Sequence, residues 1–330
     1  MKKTCLLIIF ILFVCSNGYG SAEPATDDIF KAVVRIKATI PKDADSAATL
    51  GPQREGNGIT IDAEGTILTV GYLVREAEAI DVTDQSGKTV SAKLIAYDYD
   101  TGFGLLRTDA ALDLSPVLIG QSATVNIGDP VIAIGYGEEA VQAARVASRN
   151  EFAGYWEYLL EDAIYTVPPF TNFSGAALIN REGKLVGIGF LYTQLQIPDL
   201  GQLPCNVFIP IDLLPPLLAD LKNTGRSRKE PRPWLGINAA ESYGRIFITK
   251  VTAGGPAEKA GVKKGDIILA VAGQEVGGLA DFYRKIWSLG KAGVEVPLSL
   301  LQGIKIRDLK AKSIARGRNI KPAPRKDLTI

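Results

Sequence analysis

From about Phe30 to Gly189 the chain alternates short apolar runs with turn-forming clusters. The runs cover residues 58–61, 66–70, 79–82, 92–97, 104–107, 130–134, 176–179 and 185–190; between them stand Asp62-Ala63-Glu64-Gly65, Asp84-Gln85-Ser86-Gly87 and Asn180-Arg181-Glu182-Gly183. Many strands this short, punctuated this regularly, predict an all-β barrel or sandwich. An amphipathic stretch over 211–221 predicts a short closing helix. Residues 222–233 are charged and rich in Arg, Lys, Gly and Pro, a linker composition that marks a domain boundary. Beyond it, 234–237, 246–251 and 267–271 read as strands and 257–260 and 279–289 as helices, an α+β unit. From residue 305 onward, scattered Lys and Arg with Pro322 and Pro324 predict a poorly packed basic tail.

At the other end, Lys2 and Lys3 precede an apolar run over 5–15, followed by small and polar residues through Ala22. Charge, apolar core and small residues in that order predict a secretory signal peptide over 1–22, cut after Gly20 or Ala22. The run is about half of the ~20 residues a spanning helix needs. The cleaved chain then has no membrane span and resides in the periplasm or cell envelope. Retention as an anchor, or lipid attachment at Cys15, are the alternatives. The predicted division is therefore leader 1–22, first domain 23–222, linker 223–233, second domain 234–304 and tail 305–330. Cleavage removes Cys5 and Cys15, which leaves Cys205 without an intrachain disulfide partner; it is expected to be a small buried apolar residue.

Composition narrows the chemistry. With 46% hydrophobic and 22% charged residues the chain buries a full core, and 37 basic against 36 acidic side chains leave no global field for nucleic acid. There is no histidine at all. Any mechanism that needs an imidazole base is excluded, and zinc and copper sites lose their usual nitrogen ligand. No metal and no cofactor are expected.

Gly56-Asn57-Gly58-Ile59-Thr60-Ile61, Gly65-Thr66-Ile67-Leu68-Thr69, the run 127–135, and Ser174-Gly175-Ala176-Ala177-Leu178-Ile179-Asn180 with 183–188 together resemble the exported trypsin-like proteases of the HtrA (Deg) family. The resemblance continues through Trp234-Leu235-Gly236-Ile237 and the run 255–268, which look like one PDZ module. It implies a mainly β protein: a trypsin-like double barrel with its catalytic groups between the barrels, then an α+β PDZ domain that takes peptide C-termini. Trp234, Leu235, Gly236 and Ile237 would present backbone N–H groups to a terminal carboxylate, beside a strand edge open to an added strand. Leu279, Phe282, Tyr283 and Ile286 share one helix face and would line the groove, or serve as core. The implied partners are unfolded polypeptides or protein C-termini, with a homo-trimer or co-assembly with an active homologue.

Acyl transfer by serine needs a nucleophile, a base, a carboxylate to orient the base, and oxyanion donors. The resemblance puts the nucleophile at Ser174, but Tyr72 stands where the family has histidine and Gly102 where it has aspartate. Asn172 replaces the glycine whose N–H belongs to the oxyanion hole; asparagine tolerates left-handed backbone better than most residues. A phenol of pKa about 10 is a poor base at neutral pH. The expectation is a degenerate member, a pseudoprotease that binds polypeptide without efficient cleavage. The alternatives are a regulatory subunit of an active relative, or an endopeptidase in which a lysine such as Lys93 or Lys184 activates Ser174.

Overall fold

The computed structural model describes residues 26–137, 140–197 and 201–317; the leader expected over 1–22 lies outside them, as do residues 318–330 of the expected tail. A short helix α1 (Thr26–Ala32) leads into β1 (Val33–Thr39), where Val34, Ile36 and Ala38 form the buried face. After a one-turn helix α2 (Ala47–Leu50) come β2 (Gln53–Thr60), β3 (Ile67–Val70), a second single turn α3 (Gly71–Val74), β4 (Ala79–Thr83), β5 (Thr89–Tyr97) and β6 (Phe103–Thr108). The strands pair in the order β1-β2-β3-β6-β5-β4, and β4 returns to β1 with Val82 opposite Ile36, so the sheet closes and has no edge. Ile36, Ile59, Ile67, Leu68, Phe103 and Leu105, on the two faces of its strands, are fully buried.

The second barrel repeats the arrangement with β7 (Pro130–Ile134), β8 (Val141–Gly154), β9 (Tyr158–Val167), β10 (Ala177–Ile179), β11 (Leu185–Ile197) and β12 (Gly201–Pro210), closed in the order β10-β11-β12-β9-β8-β7. Helix α4 (Pro215–Thr224) buries Leu217 and Leu221 and ends at Gly225. The helix thus reaches three residues past 221, and the connecting segment starts at Gly225. Lys222 at its end bridges to Asp62 and Glu64 of the first barrel, both at 3.0 Å. No helix among the described residues is long and apolar enough to cross a membrane.

Cys205 on β12 is fully buried and free. Burial pushes its thiol from 9.0 up to about 11, which cuts the reactive thiolate on the order of a hundred-fold at mildly alkaline pH. A maleimide is expected to label the native chain at least that much more slowly than the denatured chain; equal rates would refute the burial.

The last unit begins with β13 (Pro233–Trp234) and continues through β14 (Ile237–Ser242), β15 (Arg245–Val251), the short helix α5 (Pro256–Lys259), β16 (Ile267–Val271), β17 (Gln274–Glu275), α6 (Leu279–Ser288), β18 (Glu295–Gln302), β19 (Lys305–Lys312) and β20 (Ile314–Ala315). The strand expected over 234–237 is interrupted: β13 stops at Trp234 and β14 starts at Ile237, with Leu235 and Gly236 forming a turn between them. The expected tail from 305 also needs correction. β19 pairs with β18 along its whole length, and β20 pairs with β13, so the residues up to 315 belong to the domain. Their charges do not signal disorder, because β19 is an edge strand with only one side to bury and Ala311 is its buried residue.

Candidate active site

Tyr72 stands on α3 at the end of β3. Its position is held from beneath by Arg54, a buried guanidinium that donates to the carbonyls of Tyr72 (2.6 Å) and Arg75 (3.2 Å) and to the Ser46 hydroxyl (2.7 Å). Glu76 accepts from the Ser46 N–H at 2.9 Å and completes the network. Burial lowers the Arg54 pKa, and the nearby Glu76 charge opposes that shift.

Ser174 lies in the loop before β10. Asn57 on β2 reaches across from the first barrel: its amide nitrogen donates to the Asn172 carbonyl (2.9 Å), the Asn172 side-chain oxygen (3.0 Å) and the Ser174 carbonyl (3.0 Å), while its oxygen accepts from the Tyr136 N–H (2.8 Å). The Asn172 side chain donates in turn to the Tyr136 carbonyl at 3.2 Å. The described non-glycine residues at positive φ are Glu76, Glu157, Tyr243 and Ala272, so Asn172 does not use the left-handed tolerance expected of it. Its side chain fixes the loop by hydrogen bonding instead.

The barrels bring Tyr72 and Ser174 together, with the two hydroxyls 2.7 Å apart. The Tyr72 hydroxyl also lies 2.9 Å from the Phe190 carbonyl, which can only accept. The single phenolic proton therefore goes to Phe190, and the serine hydroxyl donates to the phenol oxygen. This is the direction of a serine donating to its base, but the acceptor is a neutral phenol. Burial pushes the Tyr72 pKa up to about 12, against a smaller lowering from the Ser174 hydrogen bond. Such a group has no affinity for a proton at neutral pH, because it already holds one.

Gly102 is buried in the turn before β6 at φ +84 and accepts from the Gly71 N–H at 2.7 Å. The neighbouring carboxylates are engaged elsewhere: Asp98 accepts from the Thr101 N–H and hydroxyl (2.9 and 2.7 Å), and Asp100 pairs with Arg232 at 3.5 Å. Lys93 is paired with Asp109 and Lys184 with Glu182, both at 2.8 Å and both near the surface.

Tyr72, Gly102 and Phe173 open onto a cavity of about 1050 Å³ between the barrels and the last domain; Phe152, Trp156, Tyr158, Phe190 and Tyr192 supply aromatic walls. Trp156 and Tyr158 stack with centroids 5.6 Å apart, and Phe190 packs against Tyr158 at 5.1 Å. Sequence reading missed this cluster, although residues 152–158 contain four aromatics in a chain that is 8% aromatic. Arg54, Asn57 and Glu157 were also missed, since their importance depends on what they touch.

The turn at Leu235, Gly236 and Ile237 holds a carboxylate, and it is the chain's own. Glu157, at the tip of the β8–β9 hairpin, accepts from the Leu235 N–H on one oxygen (2.9 Å) and from the Gly236 and Ile237 N–H groups on the other (2.7 and 2.8 Å). Its burial raises its pKa, while the same three donors and Arg316 pull it down. On α6, Leu279, Phe282, Tyr283 and Ile286 are all buried in the core of the last domain, and Leu159 from the hairpin packs with them. Trp234 flanks the cavity.

Residues 56–188 match the trypsin-like peptidase domain family and residues 233–312 the PDZ domain family. The chain is 30% identical over 278 residues to the probable periplasmic serine protease do/HhoA-like of Haemophilus influenzae, covering 78% of this chain and 57% of that protein. It is 30% identical over 298 residues to a probable periplasmic serine endoprotease DegP-like of Pseudomonas fluorescens, covering 84% and 59% respectively. The chain belongs to the HtrA/DegP family. The fold agrees: the HtrA-type protease AlgW with tripeptide superposes with a TM-score of 0.53 at 21% identity over 90% of this chain and 96% of that one. A serine endoprotease from Yersinia pestis gives 0.52 at 25% identity over 88% and 96%. This family member spans between half and three fifths of the length of the curated relatives it matches.

Proposed function

We propose that this chain is an exported, catalytically inert HtrA-family protein that binds unfolded polypeptide through its aromatic cavity and its PDZ domain. The observation that carries this reading is the hydrogen bond from Ser174 to a phenol that cannot take its proton, with Gly102 in place of an orienting carboxylate. Losing a triad base costs on the order of 10⁶-fold in turnover, and what is left over water is roughly 10³ to 10⁴-fold. Binding survives that loss. A cavity walled by Tyr72, Phe152, Trp156, Tyr158, Phe190 and Tyr192 offers flat apolar faces to the side chains that an unfolded polypeptide exposes. Export to the periplasm is supported by the leader pattern of residues 1–22 and by the periplasmic relatives.

The test is cleavage of a fluorogenic unfolded protein by the purified chain beside Ser174→Ala. Both are expected to sit at the background rate, while both hold the intact substrate in a pull-down. Cleavage by wild type that Ser174→Ala abolishes would sink the proposal and require a base other than Tyr72.

A further inference from the structure

We propose that the β8–β9 hairpin tip, residues 154–157, is an internal ligand of the PDZ groove, with the Glu157 side chain standing in for a polypeptide C-terminus. Free C-termini then bind only by displacing it. The inference rests on reading that groove as a C-terminus receptor, and it is independent of whether Ser174 cuts anything.

Three features of peptide capture are reproduced by the chain itself. The carboxylate receives all three N–H groups of the 235–237 turn, using both oxygens, in the manner expected for a terminal carboxylate in a backbone nest. The hairpin also adds main chain to the free edge of the sheet: β14 is the edge strand, and its Ala239 N–H donates to the Tyr155 carbonyl at 2.8 Å. From the helix side of the groove, the Tyr283 hydroxyl donates to the Gly154 carbonyl (2.7 Å) and accepts from the Glu157 N–H (3.2 Å). Nothing about a packed interface requires a carboxylate, a main-chain hydrogen bond to the sheet edge and a helix clamp on the same few residues.

The hairpin is also strained at the residue that makes the contact. Glu157 has φ +56, a conformation that costs a non-glycine residue on the order of 1 kcal/mol. The residue is 5% exposed. A surface turn under no other demand would carry glycine or asparagine here; the carboxylate offsets the strain only by binding the turn of the last domain. Arg284 on α6 holds the base of the hairpin through Glu151 and Glu161. Arg316 closes the far side, donating to the Glu157 carbonyl at 3.2 Å.

Because the internal ligand is tethered, it competes at a high effective concentration, and an outside C-terminus meets a groove that is free for only a small fraction of the time. Its apparent affinity falls by that fraction. The probes are fluorescein-labelled decapeptides that differ in their last residue (Val, Leu, Phe, Ala or Ser), each made with a free carboxylate and as an amidated twin. Binding is read by anisotropy on the full chain. Glu157→Gln keeps the side chain's shape but turns an amide N–H₂ toward N–H donors. It is expected to bind at least one free-carboxylate probe about tenfold more tightly than wild type, with amidation abolishing the gain. Arg284→Ala, which loosens the hairpin without touching the turn, should move the same probe in the same direction by a smaller factor. The proposal is overturned if wild type binds as tightly as Glu157→Gln, if the variant binds no probe, or if amidated and free probes bind alike. Should Glu157→Gln not fold by circular dichroism, Arg284→Ala decides by the same criteria. Cleavage is measured in parallel, so activity from Ser174 would refute inertness and leave this result untouched.

Discussion

The double variant Tyr72→His, Gly102→Asp is expected to show no proteolytic activity and to be less stable than wild type, although it supplies the histidine and aspartate that the family resemblance implies at those positions. Gly102 sits at φ +84, and a Cβ there would lie 3.1 Å from the Tyr158 hydroxyl and 3.4 Å from Ile209 Cδ1. That hydroxyl is not free to move, because it donates to the Thr101 carbonyl at 2.6 Å and its ring is stacked on Trp156. Left-handed strain and crowding together cost about 2 kcal/mol or more, which is several degrees of melting temperature for a domain of this size. At position 72 the problem is reach. An imidazole is shorter than a phenol, so with Arg54 fixing the Tyr72 carbonyl, its outer nitrogen falls short of the serine that the tyrosine hydroxyl meets at 2.7 Å. The site is thus built around a long side chain at position 72 and none at position 102. Fluorogenic cleavage and a thermal melt on the double variant and both singles check this. A rise of several orders of magnitude in the double variant would show that the two residue types were the sole deficit.

Strands that alternate or run apolar between glycine turns were legible in the sequence: 66–70, 79–82, 92–97 and 130–134 match β3, β4, β5 and β7 of the barrels, and 267–271 matches β16 of the last domain, to within a few residues. β8 was not. Its inward positions are mostly alanine, valine and serine, set among Arg145, Arg149, Asn150 and Glu151, so the apolar signal is weak although the strand is long. β12 hides behind Pro204, which argues against a strand until it is seen that 201–205 pair with β11 alone, before β9 joins at 206–208. β19 reads as a charged tail because an edge strand buries one side only.

The candidate site divides along the same line. Tyr72, Gly102, Ser174 and Asn172 could be singled out by their positions within a familiar motif, and the fold sets the Tyr72 and Ser174 hydroxyls side by side. Glu157 offered no such cue: a glutamate between aromatics in a turn is an unremarkable surface residue until the Leu235, Gly236 and Ile237 N–H groups are seen pointing at it. Leu279, Phe282, Tyr283 and Ile286, expected on one face of a helix, are all buried on α6, and Tyr283 spends its hydroxyl on the hairpin. What sequence cannot supply is the identity of the partner when the partner is another part of the same chain.

Gly175→Ala is expected to cost at least about 3 kcal/mol, against about 1 kcal/mol for Gly65→Ala, and the pair isolates the reason. Both glycines have φ +74, so both variants carry the same left-handed strain. A Cβ at Gly65 meets nothing within 4 Å, whereas one at Gly175 would lie 2.0 Å from the Asn57 carbonyl oxygen and 2.8 Å from Thr69 Oγ1. Neither neighbour yields cheaply. Asn57 is 1% exposed, its N–H donates to the Ser174 carbonyl at 2.8 Å, and its carbonyl takes the Thr69 hydroxyl at 2.7 Å. Relieving the clash therefore means separating β2 from the Ser174 loop, one of the contacts that fasten the two barrels together. Denaturant melts of the two variants measure the difference. If they lose equal stability, the close approach at Gly175 is not real, and its retention beside Ser174 would have to be explained by chemistry instead of packing. If Gly175→Ala alone collapses the fold, the Ser-Gly pair serves the joint between the barrels, a demand of packing that holds whatever Ser174 does chemically.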